Sequence, residues 1–233
     1  MENLAIIPAR GGSKGILNKN IKNIAGKPLV AWSIEQALAS QNIDRVVVTT
    51  DSQEIADVAV KFGAEVPFFR PTELASDTAA TDPCLIHAIE WLKIRENYYP
   101  DNTILLQPTS PVRKLNSIDQ AFDKFFESGV DSLLGVCKFF NFLWTQKDEV
   151  VPLYDFCNRP RRQDITIADM KYMENGSIYI SKTDRLLESK NRLSGKIGLF
   201  EMSEEENYEI DSQTDWIIVE ALLENMNLGR QLC

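Results

Sequence analysis

Short, uninterrupted apolar runs alternate with amphipathic stretches over the first two-thirds of the chain, and this rhythm limits the possible folds more than any other feature. Leu4-Ala5-Ile6-Ile7, Arg45-Val46-Val47-Val48-Thr49-Thr50, Thr103–Leu106 and Ser132–Val136 read as strands. Between them, Pro28–Ala39, Asp51–Phe62, Asp82–Arg95 and Ser117–Glu127 carry apolar residues at helical spacing. Pro28 suits a helix start, Asp51-Ser52 suit a cap, and Gly63 suits a stop. Strands that are apolar throughout belong in a parallel sheet with helices on both faces. The pattern therefore predicts an α/β fold with a Rossmann-like, mostly parallel sheet. Ligands of such sheets bind at the carboxyl ends of the strands. The loops at Arg10, Asp51 and Gln107 fall at those ends.

The first of these loops is chemically distinctive. Pro8-Ala9-Arg10-Gly11-Gly12-Ser13-Lys14-Gly15 continues to Lys19-Asn20. Glycines let the backbone turn sharply and approach a ligand, and its amides can then cradle an anion. Arg10, Lys14 and Lys19 add positive charge in a chain whose 34 acidic and 25 basic side chains leave a net charge of -9. The spacing is neither Gly-x-x-x-x-Gly-Lys-Ser/Thr nor Gly-x-Gly-x-x-Gly. A basic loop with lysines inside it suits a triphosphate better than a nicotinamide cofactor, although a basic surface turn has the same composition.

An acidic chain is not built for general nucleic-acid binding. No run of eighteen apolar residues predicts a membrane span, and no basic-then-apolar leader opens the sequence, so a cytoplasmic location is expected. Cys84, Cys137, Cys157 and Cys233 are scattered, which predicts free thiols rather than a zinc site or a disulfide framework. At this length one domain is expected over residues 1–233. The rhythm breaks after Val136. Residues 138–172 are rich in aromatics (Phe139, Phe140, Phe142, Trp144) and then polar, and they read as an excursion from the sheet, a partner surface, a ligand wall or a hairpin covering its own domain. The core resumes at Gly176–Ile180, and a last helix is expected from Asp215 to about Met226.

The motifs resemble the CMP-N-acetylneuraminate synthetase family, the cytidylyltransferases of sialic acids and related nonulosonic acids. Ile7–Gly15 is similar to the family's opening signature. Lys19–Lys22 and Gly26–Leu29 follow it, and then come Arg70–Thr78, Leu106–Arg113, Asn175–Ile180 and Ile210-Asp211, in the family's order. The resemblance covers nearly the whole chain. It implies a nucleotidyltransferase fold and a reaction in which the anomeric oxygen of a sugar acid attacks the α-phosphate of CTP, with pyrophosphate leaving. It also implies Mg²⁺, and a homodimer in which the 138–172 segment is the arm that reaches the neighbouring subunit's site.

Residue by residue, the resemblance assigns the triphosphate to Arg10, Gly11, Gly12, Ser13, Lys14 and Lys19, with Lys19 on the leaving pyrophosphate. Asn20 then reads the cytosine or its ribose, Arg70 the base or phosphates, and Thr81 lies near the base. Asn20 as a turn-former and Asp77 as a helix cap are equally compatible with these residue types. Gln107, held at a strand end by Pro108 and Pro111, faces the sugar acid, while Arg113 supports the loop. Arg161 and Arg162 match an arginine near the substrate carboxylate, in one subunit or the other. Glu209 and Asp211 flank Ile210, so on an extended segment both point to one side. The family places Asp at both positions for Mg²⁺, and here the first is Glu. Asp211 is thus the firmer metal ligand, grouped with Arg10 and Lys19 as catalytic. Sialic-acid-specific members often carry His-Pro-Lys in the aromatic segment, where this chain has Asn141-Phe142-Leu143-Trp144. The identity of the acid is therefore open. A 3-deoxy-manno-octulosonate cytidylyltransferase and a non-catalytic nucleotide-sugar binder are the alternatives.

Overall fold

A computed structural model of the chain describes residues 1–12, 15–76 and 78–231, with side chains described through residue 226. Ser13, Lys14, Asp77 and Cys233, all named above, lie outside the described residues.

The expected strands form as β1 (Asn3–Pro8), β4 (Arg45–Thr49), β5 (Asn102–Leu106) and β6 (Ser132–Phe139). A small hairpin, β2 (Asn23–Ile24) with β3 (Lys27–Pro28), follows the glycine-rich loop. The helices are α1 (Leu29–Leu38), α2 (Gln53–Lys61), α3 (Thr81–Glu96) and α4 (Ser117–Ser128). Ser52 caps α2 by accepting from the Ile55 amide, and Gly63 follows its end at φ 94°. Next come the hairpin β7 (Trp144–Gln146) and β8 (Val150–Pro152), then β9 (Lys171–Lys182), α5 (Thr183–Ser189), β10 (Ile197–Glu201) and α6 (Gln213–Gln231).

Six strands make one sheet in the order β10-β6-β9-β5-β1-β4. Neighbours are parallel except β9, which runs antiparallel to both β5 and β6. The strand order reverses at β1, because the chain goes first to β4 on one side and then to β5 on the other. That reversal opens a crevice between the carboxyl ends of β1 and β5. Since β9 runs the other way, its beginning rather than its end reaches the same rim.

Each face of the sheet has its own core. Val30, Ile34, Ile55, Ala59, Phe122 and Phe125 from α1, α2 and α4 cover one face. Leu85, Ile89 and Leu92 of α3 and Leu186 of α5 cover the other. A third cluster joins Ile16, Ile24, Leu29 and Trp32 to Ile210, Trp216, Val219 and Leu223. It packs α6 against the segment after the glycine-rich loop, which joins two parts of the chain distant in sequence.

The excursion between β6 and β9 occupies residues 140–170. It is two residues shorter at each end than the sequence suggests, because Lys138 and Phe139 stay paired with Tyr172 and Lys171. Within it Phe142 and Tyr154 rings meet at 4.5 Å, and Arg159 lies over Phe142 at 4.4 Å. Leu143, Trp144, Val150, Leu153, Phe156 and Ile167 are exposed.

Candidate active site

Where β1 ends, Ala9 donates its amide to Thr49 O at 3.1 Å, which keeps the loop start against β4. Gly11 N then donates to Asp51 Oδ1 at 2.9 Å. Asp51 was expected to help cap α2, but Ser52 alone does so, and the Asp51 carboxylate anchors the glycine-rich loop instead. Asn18 takes the left-handed conformation at φ 52° and turns the chain into a 3-10 turn over Lys19–Ile21. Asn20 is buried there, and its Nδ2 donates to Arg10 O at 2.9 Å. The side chain that resembles a nucleotide reader therefore also braces the loop.

The far end of the chain meets this loop. Lys19 Nζ donates to Ile210 O at 2.6 Å and lies 3.7 Å from Asp211 Oδ1. Gly15 packs so closely that a Cβ there would sit 2.6 Å from Asp211 O, so no other residue fits without displacing the Asp211 backbone. The amides of Asp211 and Ser212 both donate to Asp215 Oδ2, at 3.1 and 2.7 Å. These bonds, led by that of the Ser212 hydroxyl, hold the Asp215 carboxyl below its ordinary pKa. Its charge is used to fix the backbone of Asp211, whose own side chain is 77% exposed.

The end of β5 forms the opposite wall. Gln107 Nε2 donates to Gly176 O at 2.8 Å, and Ser110 Oγ to Asn175 O at 3.2 Å. Both acceptors lie where β9 breaks register with β6 and bulges. Gly176 sits there at φ 68°, and a Cβ would approach Gln107 Nε2, Ser110 Oγ and Glu209 Oε2 within 3.1–3.2 Å. Glycine is needed here for both its conformation and its lack of a side chain. Beneath them Arg113 is wholly buried. It donates to Gln107 O at 3.0 Å, Ser177 O at 2.8 Å, Ser33 Oγ at 3.0 Å and Gln36 Oε1 at 2.8 Å. Burial draws its guanidinium down to about 9, so it stays protonated at neutral pH. The expectation that Arg113 supports the loop is met, and its reach extends to α1 and β9.

Glu209 and Asp211 both avoid the side of buried Ile210, but they face different partners. Asp211 faces Lys19, whereas Glu209 Oε1 accepts from Thr109 Oγ1 at 2.9 Å and Oε2 lies over Gly176. Desolvation raises the pKa of Glu209, the Thr109 bond opposes that rise, and the charges of Asp211 and Glu174 add to it.

Arg70 is buried at the end of β4 and bonds to Thr49, through Nη2 to the carbonyl and through Nε to Oγ1 at 3.3 Å. Desolvation lowers its pKa, and the charge of Arg10 contributes. Nearby, α3 begins at Thr81 behind Ala80, which offers no side-chain cap. The first turn of this helix, with the positive end of its dipole, lies beside the cleft through Ala80, Thr81 and Cys84.

These pieces enclose one cleft of about 290 Å³. Arg10, Gly15, Lys19, Asn20, Arg70, Thr81, Gln107, Thr109 and Asp211 line it, together with Cys84. Residues from five separate motifs, distant in sequence, thus meet at the crevice that the sheet order predicts. Arg161 and Arg162 do not line it. They sit on the 140–170 excursion, where Arg161 pairs with Asp164 at 2.6 Å and Arg162 lies 4.1 Å over Phe140. Sequence reasoning missed the loop anchor Asp51, the brace Asp215 and the Thr109 contact. Short polar residues beside strand and helix ends were the available signal, but they cap and brace in many folds.

Comparison with known proteins agrees with this architecture. The family model described as Cytidylyltransferase matches residues 4–232. CMP-N,N'-diacetyllegionaminic acid synthase of Legionella pneumophila is 36% identical over 238 residues, covering 96% of this chain and 97% of the relative. Pseudaminic acid cytidylyltransferase of Campylobacter jejuni is 37% identical over 193 residues, covering 81% and 82%. Among solved structures, CMP:2-keto-3-deoxy-manno-octonic acid synthetase complexed with CTP superposes with a TM-score of 0.71 at 17% identity, covering 97% of this chain and 99% of that one, a likeness of fold. The chain belongs to the cytidylyltransferase family and is a nucleotidyltransferase.

Proposed function

We propose that this protein couples a nonulosonic acid to CMP, using CTP and releasing pyrophosphate. The observation that carries this reading is the meeting of Arg10, Lys19, Gln107 and Asp211 around one cleft at the switch point of the sheet. The similarity to enzymes named for legionaminic and pseudaminic acids supports the substrate class.

The triphosphate lies along Arg10, the loop amides and Lys19, beside the start of α3. The acid lies against Gln107. Its anomeric hydroxyl attacks the α-phosphorus and gives up its proton to solvent water. The new oxygen–phosphorus bond forms as the bond to pyrophosphate breaks, and Lys19 and Arg10 meet the leaving charge. Alignment and charge neutralisation supply the rate, without a covalent enzyme intermediate.

Mg²⁺ fits this site on chemical grounds. The ion takes few protein ligands, one or two carboxylates, and completes its shell with phosphate oxygens and water. Asp211 offers an exposed, backbone-fixed carboxylate beside the phosphate loop, with Glu209 as a second, more distant donor. No larger cluster of metal-binding side chains occurs among the described residues. When bound, the ion would neutralise phosphate charge and activate the attacking hydroxyl.

The protein works as a homodimer in the cytoplasm. The exposed aromatic and aliphatic side chains of residues 140–170 are the contact surface, and Arg161 and Arg162 ride on it toward the carboxylate of the acid in the partner's cleft. Light scattering should return the mass of two chains. A monomer would remove this role from the arginines.

Pyrophosphate release tests the reaction. With CTP and Mg²⁺, release is expected with N,N'-diacetyllegionaminic, pseudaminic or N-acetylneuraminic acid, and not with 3-deoxy-manno-octulosonic acid. Release only with the last would make the chain a synthetase of eight-carbon acids. CTP binding without release for any acid would make it a nucleotide-sugar binder.

A further inference from the structure

Glu174 stands on β9 two residues before Gly176, which Gln107 and Glu209 flank, and its charge acts on the Glu209 carboxyl. The residue is exposed, and an exposed glutamate ordinarily samples many rotamers. This one is held. Its Oε1 accepts a hydrogen bond from the hydroxyl of Tyr179, which is itself only 2% exposed. The Arg192 guanidinium lies over the Tyr179 ring at 4.6 Å. Arg192 in turn donates to Asp82 Oδ1 at 2.9 Å, and those two side chains are 22% and 18% exposed. Asp82 is in the first turn of α3, next to Thr81 on the cleft wall. A line of largely buried polar groups thus runs from the nucleotide wall to one surface carboxylate beside the acid's place.

We propose that Glu174 is a specificity-determining residue that accepts hydrogen bonds from hydroxyl or amide N–H donors on the sugar acid. The inference rests on the reading of the chain as a nonulosonic acid cytidylyltransferase. Charge gives the orientation. The substrate is an anion, and Glu174 and Glu209 together repel its carboxylate from the Gly176 rim. The carboxylate therefore turns to the cations, and the donor-bearing part of the sugar faces Glu174. Rigid placement of an acceptor is what recognition requires, because an acceptor left unmet in the bound state penalises the wrong acid. A purely structural role has a different requirement: the buried Tyr179 hydroxyl needs any acceptor, charged or neutral.

That difference sets the test. Glu174→Gln keeps an acceptor for Tyr179 and removes the charge. Steady-state kinetics of pyrophosphate release would use N,N'-diacetyllegionaminic acid and pseudaminic acid as probes, with CTP varied separately. For the acid that the unmodified enzyme uses, kcat/KM should fall about 10- to 100-fold in Glu174→Gln, with the KM for CTP unchanged. Tyr179→Phe, which frees the carboxylate but keeps it, should give a smaller loss in the same direction. The melting temperature of Glu174→Gln should match that of the parent. Wild-type kcat/KM for the acid in Glu174→Gln, or equal losses toward acid and CTP, would overturn the proposal and leave Glu174 as a partner for Tyr179. An unmodified enzyme inactive with these two acids and with N-acetylneuraminic acid would overturn the functional reading, and the inference with it.

Discussion

Asp211→Asn should abolish turnover, by about 10²- to 10³-fold or more, while leaving the fold intact. The substitution preserves shape and removes one negative charge. Among the described residues, Asp211 is the carboxylate that lines the cleft beside Lys19, since Glu209 is drawn to Thr109 and Gly176. Stability should barely change. The Asp211 side chain is exposed, its backbone is held by Asp215, and Lys19 keeps Ile210 O as a partner. Calorimetry should place the melting temperature within about 2 °C of the parent. Pyrophosphate release at saturating CTP and acid is the deciding measurement. Full activity in Asp211→Asn would remove the residue from the metal site and from the reaction.

Arg113→Met should have the largest effect on stability. The guanidinium is wholly buried and spans the end of β5, the bulge of β9 and α1. Methionine fills much of the volume but removes the donor of Ser177 O and leaves Gln107 O with only the Ser110 amide. A buried network broken on one side costs about 3–5 kcal/mol. For a chain of this size that is a fall in melting temperature on the order of 10 °C. Arg113→Lys should recover only part of it, because an ammonium cannot reach α1 and β9 together. A loss below about 1 kcal/mol for Arg113→Met would show that apolar packing replaces the network.

Much of this architecture can be read along the sequence, for identifiable reasons. β1, β4 and β5 are covered on both faces and therefore consist of unbroken apolar runs. α1 and α2 carry local signals at Pro28, Ser52 and Gly63. β10 is different. It lies at the sheet edge, where Ile197, Leu199 and Glu201 are exposed, so its pattern is broken by solvent. α5 spans only 7 residues and has no side-chain cap. The reversed direction of β9 leaves no trace in hydropathy, because a strand buried on both faces reads the same either way. In the cleft, the loop cations and Asp211 stand out by residue type and resemblance. The separate orientations of Glu209 and Asp211 depend on Thr109 and Lys19, which come from other parts of the chain. Arg161 and Arg162 were legible as a motif, but their place on the excursion keeps them outside the cleft of their own chain.

The reversed strand has a consequence for how the enzyme can diversify. Because β9 enters the sheet at the rim, the aromatic excursion leaves through β6 and returns through β9 by the same doorway. The nucleotide grip, by contrast, comes chiefly from β1, β4 and the start of α3. If the proposed function holds, changes confined to one contiguous stretch, residues 140–176, should alter the preference among sugar acids more than the KM for CTP. On the proposed function, the topology lets part of the acid's surroundings vary as one contiguous insert, while Gln107 on β5 stays with the constant sheet.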